Sequence, residues 1–400
     1  MHRADSRPLL RRRAGLPLAA AVAFGLALGV LPGQWMPPAH GDENMGICAP
    51  ASNLPVMPPA DGGGAGRSLP AGAGFVLDPG CGDPLDVREV PPAWAQYNSG
   101  ATANTVEHLG TGSYVVWFSG LGGTNGVPQV TAVGGISANR CRIGAWGPDG
   151  FDEAVSVLCA DAKGAPVDWE FSLSFTSEQT KYAVFGYLRA DQPGAQAYQP
   201  TEQYAWNGVP ALVRRTGVGR YTVTRAESGT QPGVDLVSAY GAANGLSACK
   251  LVDSSSSVAD VACFNGKAPA DTPFTLTYGA QGNLLGLPDA GRSAGGLASG
   301  YAWVDTTAGS APDPTRRFAS KDPGTGAGWS QSYDPETLTA SVTMPLSLAT
   351  GVPQVVAVGS DAASCAIAGD WSKGSIPVEC WDGNGNPVRE PFEVSFDAVP

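Results

Sequence analysis

Large apolar and small polar residues alternate in three related runs. They are Phe171-Ser172-Leu173-Ser174-Phe175, Phe274-Thr275-Leu276-Thr277-Tyr278 and Phe392-Glu393-Val394-Ser395-Phe396. A period of two puts the large side chains of each run on one face, which predicts a β-strand with its phenylalanines turned into a core. Arg220 to Thr224 and Asp235 to Tyr240 alternate in the same way and are rich in β-branched and aromatic residues. Glycine, asparagine and aspartate interrupt the runs every few residues, as in Pro148-Asp149-Gly150, Gly217-Val218-Gly219 and Asn384-Gly385-Asn386. Such clusters are turn signals. No stretch after the N-terminal segment carries helical periodicity, so the chain reads as all-β.

Each alternating run closes a longer unit that the chain writes three times. Cys141 and Cys159 are followed by Pro166 and Phe171, Cys249 and Cys263 by Pro269 and Phe274, and Cys365 and Cys380 by Pro387 and Phe392. The similarity extends upstream. Gly186-Tyr187, Pro200-Thr201 and Tyr204 match Gly300-Tyr301, Pro314-Thr315 and Phe318, with a weaker Gly74-Phe75 start in the first copy. Gly110-x-Gly112-x-Tyr114 matches Gly217-x-Gly219-x-Tyr221, while the third copy has Leu338 at that place. The period is about 110 residues. It predicts β-modules over 74–183, 184–282 and 300–400, with a Gly/Ala-rich linker over 283–299. About seven short strands per module predict tandem antiparallel β-sandwiches, Ig-like or small barrels.

The N-terminus reads differently. Arg3, Arg7 and Arg11 to Arg13 precede an apolar run from Leu16 to Leu31, the pattern of a signal peptide over 1–41 with cleavage near Gly41. An uncleaved anchor is the alternative. Residues 42–73, rich in Pro, Gly and Ala, read as a flexible tail or linker. All eight cysteines follow the cut, and none has CxxC spacing, so an exported chain predicts disulfides. Cys141–Cys159, Cys249–Cys263 and Cys365–Cys380 pair locally within each copy, which leaves Cys48 with Cys81. Each local bond closes a short hairpin loop, which is worth about 3 kcal/mol.

Charge narrows the partners. The chain has 24 Lys and Arg against 36 Asp and Glu, a net charge of −12. Without the signal the balance is more acidic still, which repels nucleic acid and anionic lipid.

Candidate chemistry is sparse. His108 is the one histidine after the cut, and Arg215 stands at its place in the second copy, so it reads as an exposed strand residue, not the base of a triad. Gly291-Arg292-Ser293-Ala294-Gly295 fits a nucleophile elbow but lies in a linker without the flanking strand and helix. Asp382-Gly383-Asn384-Gly385-Asn386 with Glu393 has the ligand spacing of a calcium loop. Pro387 stands where that loop needs glycine, so a hairpin turn is expected. Gly120 to Gly123 lies between strands and reads as a turn. Paired carboxylates such as Asp152-Glu153 suit glycoside hydrolysis but are common in an acidic chain. Trp146 and Trp371 sit inside the cysteine hairpins, where the second copy has serine, and are candidate ligand-contact residues, as platforms for a sugar ring. The bland counterpart is a ring folded over the disulfide.

From Gly110-Thr111-Gly112-Ser113-Tyr114 through Cys141, Trp146 and Cys159 to Phe175, the chain resembles the tandem one-disulfide β-repeats of secreted bacterial proteins. That resemblance implies export and modular β structure, and brings no activity, cofactor or site residue. The leading expectation is a secreted non-enzymatic protein whose modules bind an extracellular glycan or protein, or act as a spacer. A secreted hydrolase using a carboxylate pair at a module junction is the alternative.

Overall fold

The computed structural model describes residues 49–50, 72–78, 85, 87–123, 125–135, 137–177, 184–226, 233–241, 246–287, 297–306, 311–322 and 324–398. Cys48, Cys81 and the Gly291–Gly295 elbow lie outside them. The described residues form six antiparallel sheets, grouped as three sandwiches, with no closed barrel and no α-helix.

In each sandwich one sheet has four strands in the same order. The first is Gln96–Asn98, Ala73–Asp78, Phe171–Ser177, Gly126–Ala132. The second is Gln203–Ala205, Val184–Ala190, Phe274–Ala280, Val234–Ala239, and the third is Arg317–Ala319, Ser299–Val304, Phe392–Asp397, Val352–Ala357. The facing sheet carries the cysteine hairpin. Disulfides join Cys141 to Cys159, Cys249 to Cys263 and Cys365 to Cys380, each pair directly opposite across a hairpin, with Cα atoms 4.1, 4.1 and 4.0 Å apart. Phe171, Leu173 and Phe175, with their counterparts Phe274, Leu276, Tyr278 and Phe392, Val394, Phe396, are fully buried in the sandwich cores. Burial of each such ring is worth about 2–3 kcal/mol.

The four-stranded sheets are buried on both faces. Gly126–Ala132, Phe171–Ser177, Val234–Ala239, Phe274–Ala280, Val352–Ala357 and Phe392–Asp397 contain no exposed position. Their second faces meet one another, because the modules close into a ring. Gly134 N–H donates to the Ile367 carbonyl at 2.9 Å, Gly241 N–H to Ile143 at 3.1 Å, and Gly359 N–H to Leu251 at 2.9 Å. Parallel bridges accompany these bonds at Val133–Ile367, Ile143–Tyr240 and Leu251–Val358. Each acceptor lies two residues after the first cysteine of its module. The first module therefore contacts the third as the second contacts the first and the third contacts the second, an approximate threefold arrangement in a single chain.

Aromatic pairs repeat around this ring: Phe75 on Tyr97, Tyr187 on Tyr204 and Tyr301 on Phe318, with centroids 5.8, 5.9 and 5.7 Å apart. Phe75 joins the apolar cluster of the third module, Tyr187 packs with Val127 of the first, and Tyr301 joins the cluster of the second.

Polar contacts distinguish the three junctions. Ser172 Oγ donates to the Pro353 carbonyl at 2.7 Å, and Thr275 Oγ1 to the Pro128 carbonyl at 2.9 Å. At the third junction the serine is replaced by Glu393 and the proline by Asp235, whose N–H donates to Glu393 Oε2 at 2.7 Å. Proline has no N–H, so a hydroxyl meets its carbonyl, whereas a free N–H calls for an acceptor. Asp235 and Arg225, both side chains 1 % exposed, pair at 2.8 Å, and Arg316 reaches Glu393 at 3.1 Å. Burial, with the Asp235 carboxylate beside it, pushes the Glu393 carboxyl up from its ordinary value.

Candidate functional site

Three axial strands, Gly126–Ala132, Val234–Ala239 and Val352–Ala357, approach one another at the centre of the ring. Beyond their C-terminal ends the three cysteine hairpins begin. Between these two sets lies a cavity of about 70 Å³, lined by the same two segments of every module, including Cys141, Cys249 and Cys365, and by Phe264 of the second. That space is several times the roughly 10–15 Å³ that one water requires.

Its charge comes from residues flanking the first cysteines. Arg140 and Arg142 flank Cys141, and Lys250 follows Cys249. The corresponding third-module residues are Ser364 and Ala366. Lys250, 3 % exposed, is neutralised across the junction by Glu390 at 2.6 Å and Asp361 at 2.8 Å. Arg142 donates Nη1 to the Gly241 carbonyl. Arg140, 9 % exposed, reaches the Asp382 carbonyl through Nη2 at 3.4 Å, and its Nε has no hydrogen-bond partner. Burial holds both guanidinium groups below the usual arginine range, with Asp382 acting in the opposite sense on Arg140.

The tryptophans, the histidine and the carboxylates singled out in the sequence fall elsewhere. Trp371 is 5 % exposed and belongs to the core cluster of the third module with Cys365 and Cys380. Trp146 is half-buried where the first module meets the second. Its N–H donates to the Gly126 carbonyl at 2.9 Å, Arg189 lies over its ring at 4.4 Å, and Tyr240 meets it edge-on. His108 is buried, not exposed as expected: it stacks on Tyr114 and pairs with Asp168 at 2.9 Å, and Asp168 also accepts the Gly112 N–H. Arg215, Asp271 and Gly219 repeat this arrangement in the second module, so the histidine takes part in a shared turn lock.

Asp382 Oδ1 accepts the N–H groups of Asn384 and Asn386, which makes its loop a hairpin turn and holds its carboxyl well below the carboxylate range. Glu393 belongs to the junction described above. Among the described residues no cluster of three metal-ligating side chains occurs. Of the candidate carboxylate pair, Asp152 accepts the Gly120 N–H, while Glu153 is 1 % exposed and lies near Glu202 of the second module. Burial first, then the Glu202 charge, pushes the Glu153 carboxyl up to about 8.

No protein-family model, curated protein or solved structure matches this chain. Its own geometry therefore carries the functional reading.

Proposed function

We propose that this is an exported, non-catalytic binding protein whose ring of three sandwiches holds an extracellular ligand at the axial cavity. The observation that carries the reading is that cavity, which equivalent segments of all three modules line. Closure into a ring speaks against a spacer, whose modules gain length only when strung apart. Three disulfides suit an oxidising compartment, and no helix among the described residues is long and apolar enough to cross a membrane.

The test is a thermal-shift screen of small anions, glycans and peptides against the wild type and two cavity-filling variants, Ala248→Trp and Ser364→Trp. Both positions line the cavity and are half-buried. A ligand that raises the wild-type midpoint is expected to leave both variants unmoved. Equal shifts in all three proteins refute the reading.

One observation favours a hydrolase instead: Glu153 is a buried carboxyl at a module junction, pushed up by burial and by the charge of a second carboxylate, Glu202. Hydrolysis of chromogenic glycosides or esters by the wild type, lost in Glu153→Gln, would establish that alternative.

A further inference from the structure

We infer that the ligand of the axial cavity is a small oxyanion of the phosphate or sulfate type, gripped by the Arg140 guanidinium. The inference rests on the reading of the cavity as the binding site. A buried cation loses its hydration, and the protein offsets that loss only when an anion or a full set of acceptors meets it. Lys250 has two carboxylates for this purpose. Arg140 has one carbonyl at 3.4 Å and a buried Nε without an acceptor. Asp382, whose charge acts on Arg140, spends its oxygens on hydrogen bonds within its own turn.

The rest of the lining suits the same ligand. Arg142 brings a second guanidinium, and the polar residues Asn139 and Ser247 line the same space from two modules. An arginine fork matches the spacing of oxygens on a tetrahedral anion, and a buried setting makes such charge-assisted bonds strong. The surroundings add selectivity. A chain with net charge −12 repels anions generally, so cations gathered around one small cavity favour a ligand small enough to enter it.

The test is isothermal titration of the mature protein, in a buffer free of oxyanions, with inorganic phosphate, inorganic sulfate and glycerol phosphate. Wild type is expected to bind at least one of them. Arg140→Gln should weaken that binding tenfold or more, while unfolding in the anion-free buffer at a midpoint no lower than wild type, because a buried cation short of acceptors is gone. Ala248→Trp, which keeps Arg140 but fills the space, should also abolish binding. Binding of the inorganic ions marks a free anion as the ligand, and binding of glycerol phosphate alone marks an ester-borne one.

Absence of heat with all three probes up to tens of millimolar overturns the inference, as does binding that survives Arg140→Gln. If a neutral glycan or peptide instead shifts the wild type and not Ala248→Trp, the cavity remains the binding site and only its anionic ligand is wrong.

Discussion

Replacing Arg225 by methionine removes a guanidinium from the junction of the second and third modules. Its Nη2 lies 2.8 Å from Asp235 and 2.9 Å from the Ser255 carbonyl, its Nη1 is 3.0 Å from the Ser256 carbonyl, and its plane sits over Tyr278 at 4.5 Å. Methionine fills much of the volume but takes from the buried Asp235 carboxylate its ion-pair partner and removes a donor from each of the Ser255 and Ser256 carbonyls. Breaking a buried ion pair from one side costs about 3–5 kcal/mol, and the carbonyls add about 1 kcal/mol or more. A loss of about 4 kcal/mol is a large share of the 5–15 kcal/mol typical of folded domains.

In urea, followed by tryptophan fluorescence, this should lower the midpoint by about 1 M or more if m is about 3 kcal/mol/M. The deficit should be largest near neutral pH. Burial already raises the Asp235 carboxyl, and loss of its cation raises it further. A carboxyl raised in the folded state costs nothing at pH values where the unfolded chain is also protonated, and its cost grows as pH rises. The deficit should therefore shrink as pH falls towards 4. Adding Asp235→Leu to the variant should recover most of the loss, since apolar replacement of both partners removes the stranded charge. A single-variant loss below about 1 kcal/mol, or a double variant no better than the single, would refute the reasoning.

Two further outcomes follow from the repeat and from the buried carboxyl. Leu338 has φ +60°, the left-handed conformation held by Gly112 and Gly219 in the other copies, so Leu338→Gly should stabilise the protein by about 0.5–1 kcal/mol in the same urea assay. Glu153 is raised to about 8, so between its unfolded value near 4.5 and 8 the unfolded chain ionises while the folded one holds its proton. Stability should fall across that window by up to about 1.4 kcal/mol per pH unit, and Glu153→Gln should lack that part of the slope in thermal midpoints measured from pH 4 to 9.

Local structure was legible in the sequence where one chain segment decides it. Phe171-Ser172-Leu173-Ser174-Phe175 alternates and is a strand, and the spacing of Cys141 and Cys159 predicts the hairpin bond that is found. The alternation does not say what the polar face meets. Ser172 and Ser174 face Pro353 and Gln354 of another module, about 180 residues away, and no local pattern encodes that. A longer-range signal was present in Gly126-Val127-Pro128-Gln129-Val130-Thr131-Ala132-Val133-Gly134. It recurs at Gly351 to Gly359 with one change, Thr131 to Val356, and both stretches run along the axis.

The site was harder to see. Arg140, Arg142 and Lys250 look like ordinary surface charges beside cysteines, and only ring closure buries them around common space. Conversely, Trp371 stood out by its type and lies in a core, because a large ring between hairpin strands is most cheaply satisfied by packing.

Ring closure is the claim on which the cavity, the junction chemistry and the proposed ligand all depend, and small-angle X-ray scattering of the purified protein tests it most directly. A compact body of this length has a radius of gyration of about 20 Å, whereas three sandwiches of the same size strung end to end give about 30 Å. A value near the lower figure is the predicted result; one near the upper figure would contradict the closed ring.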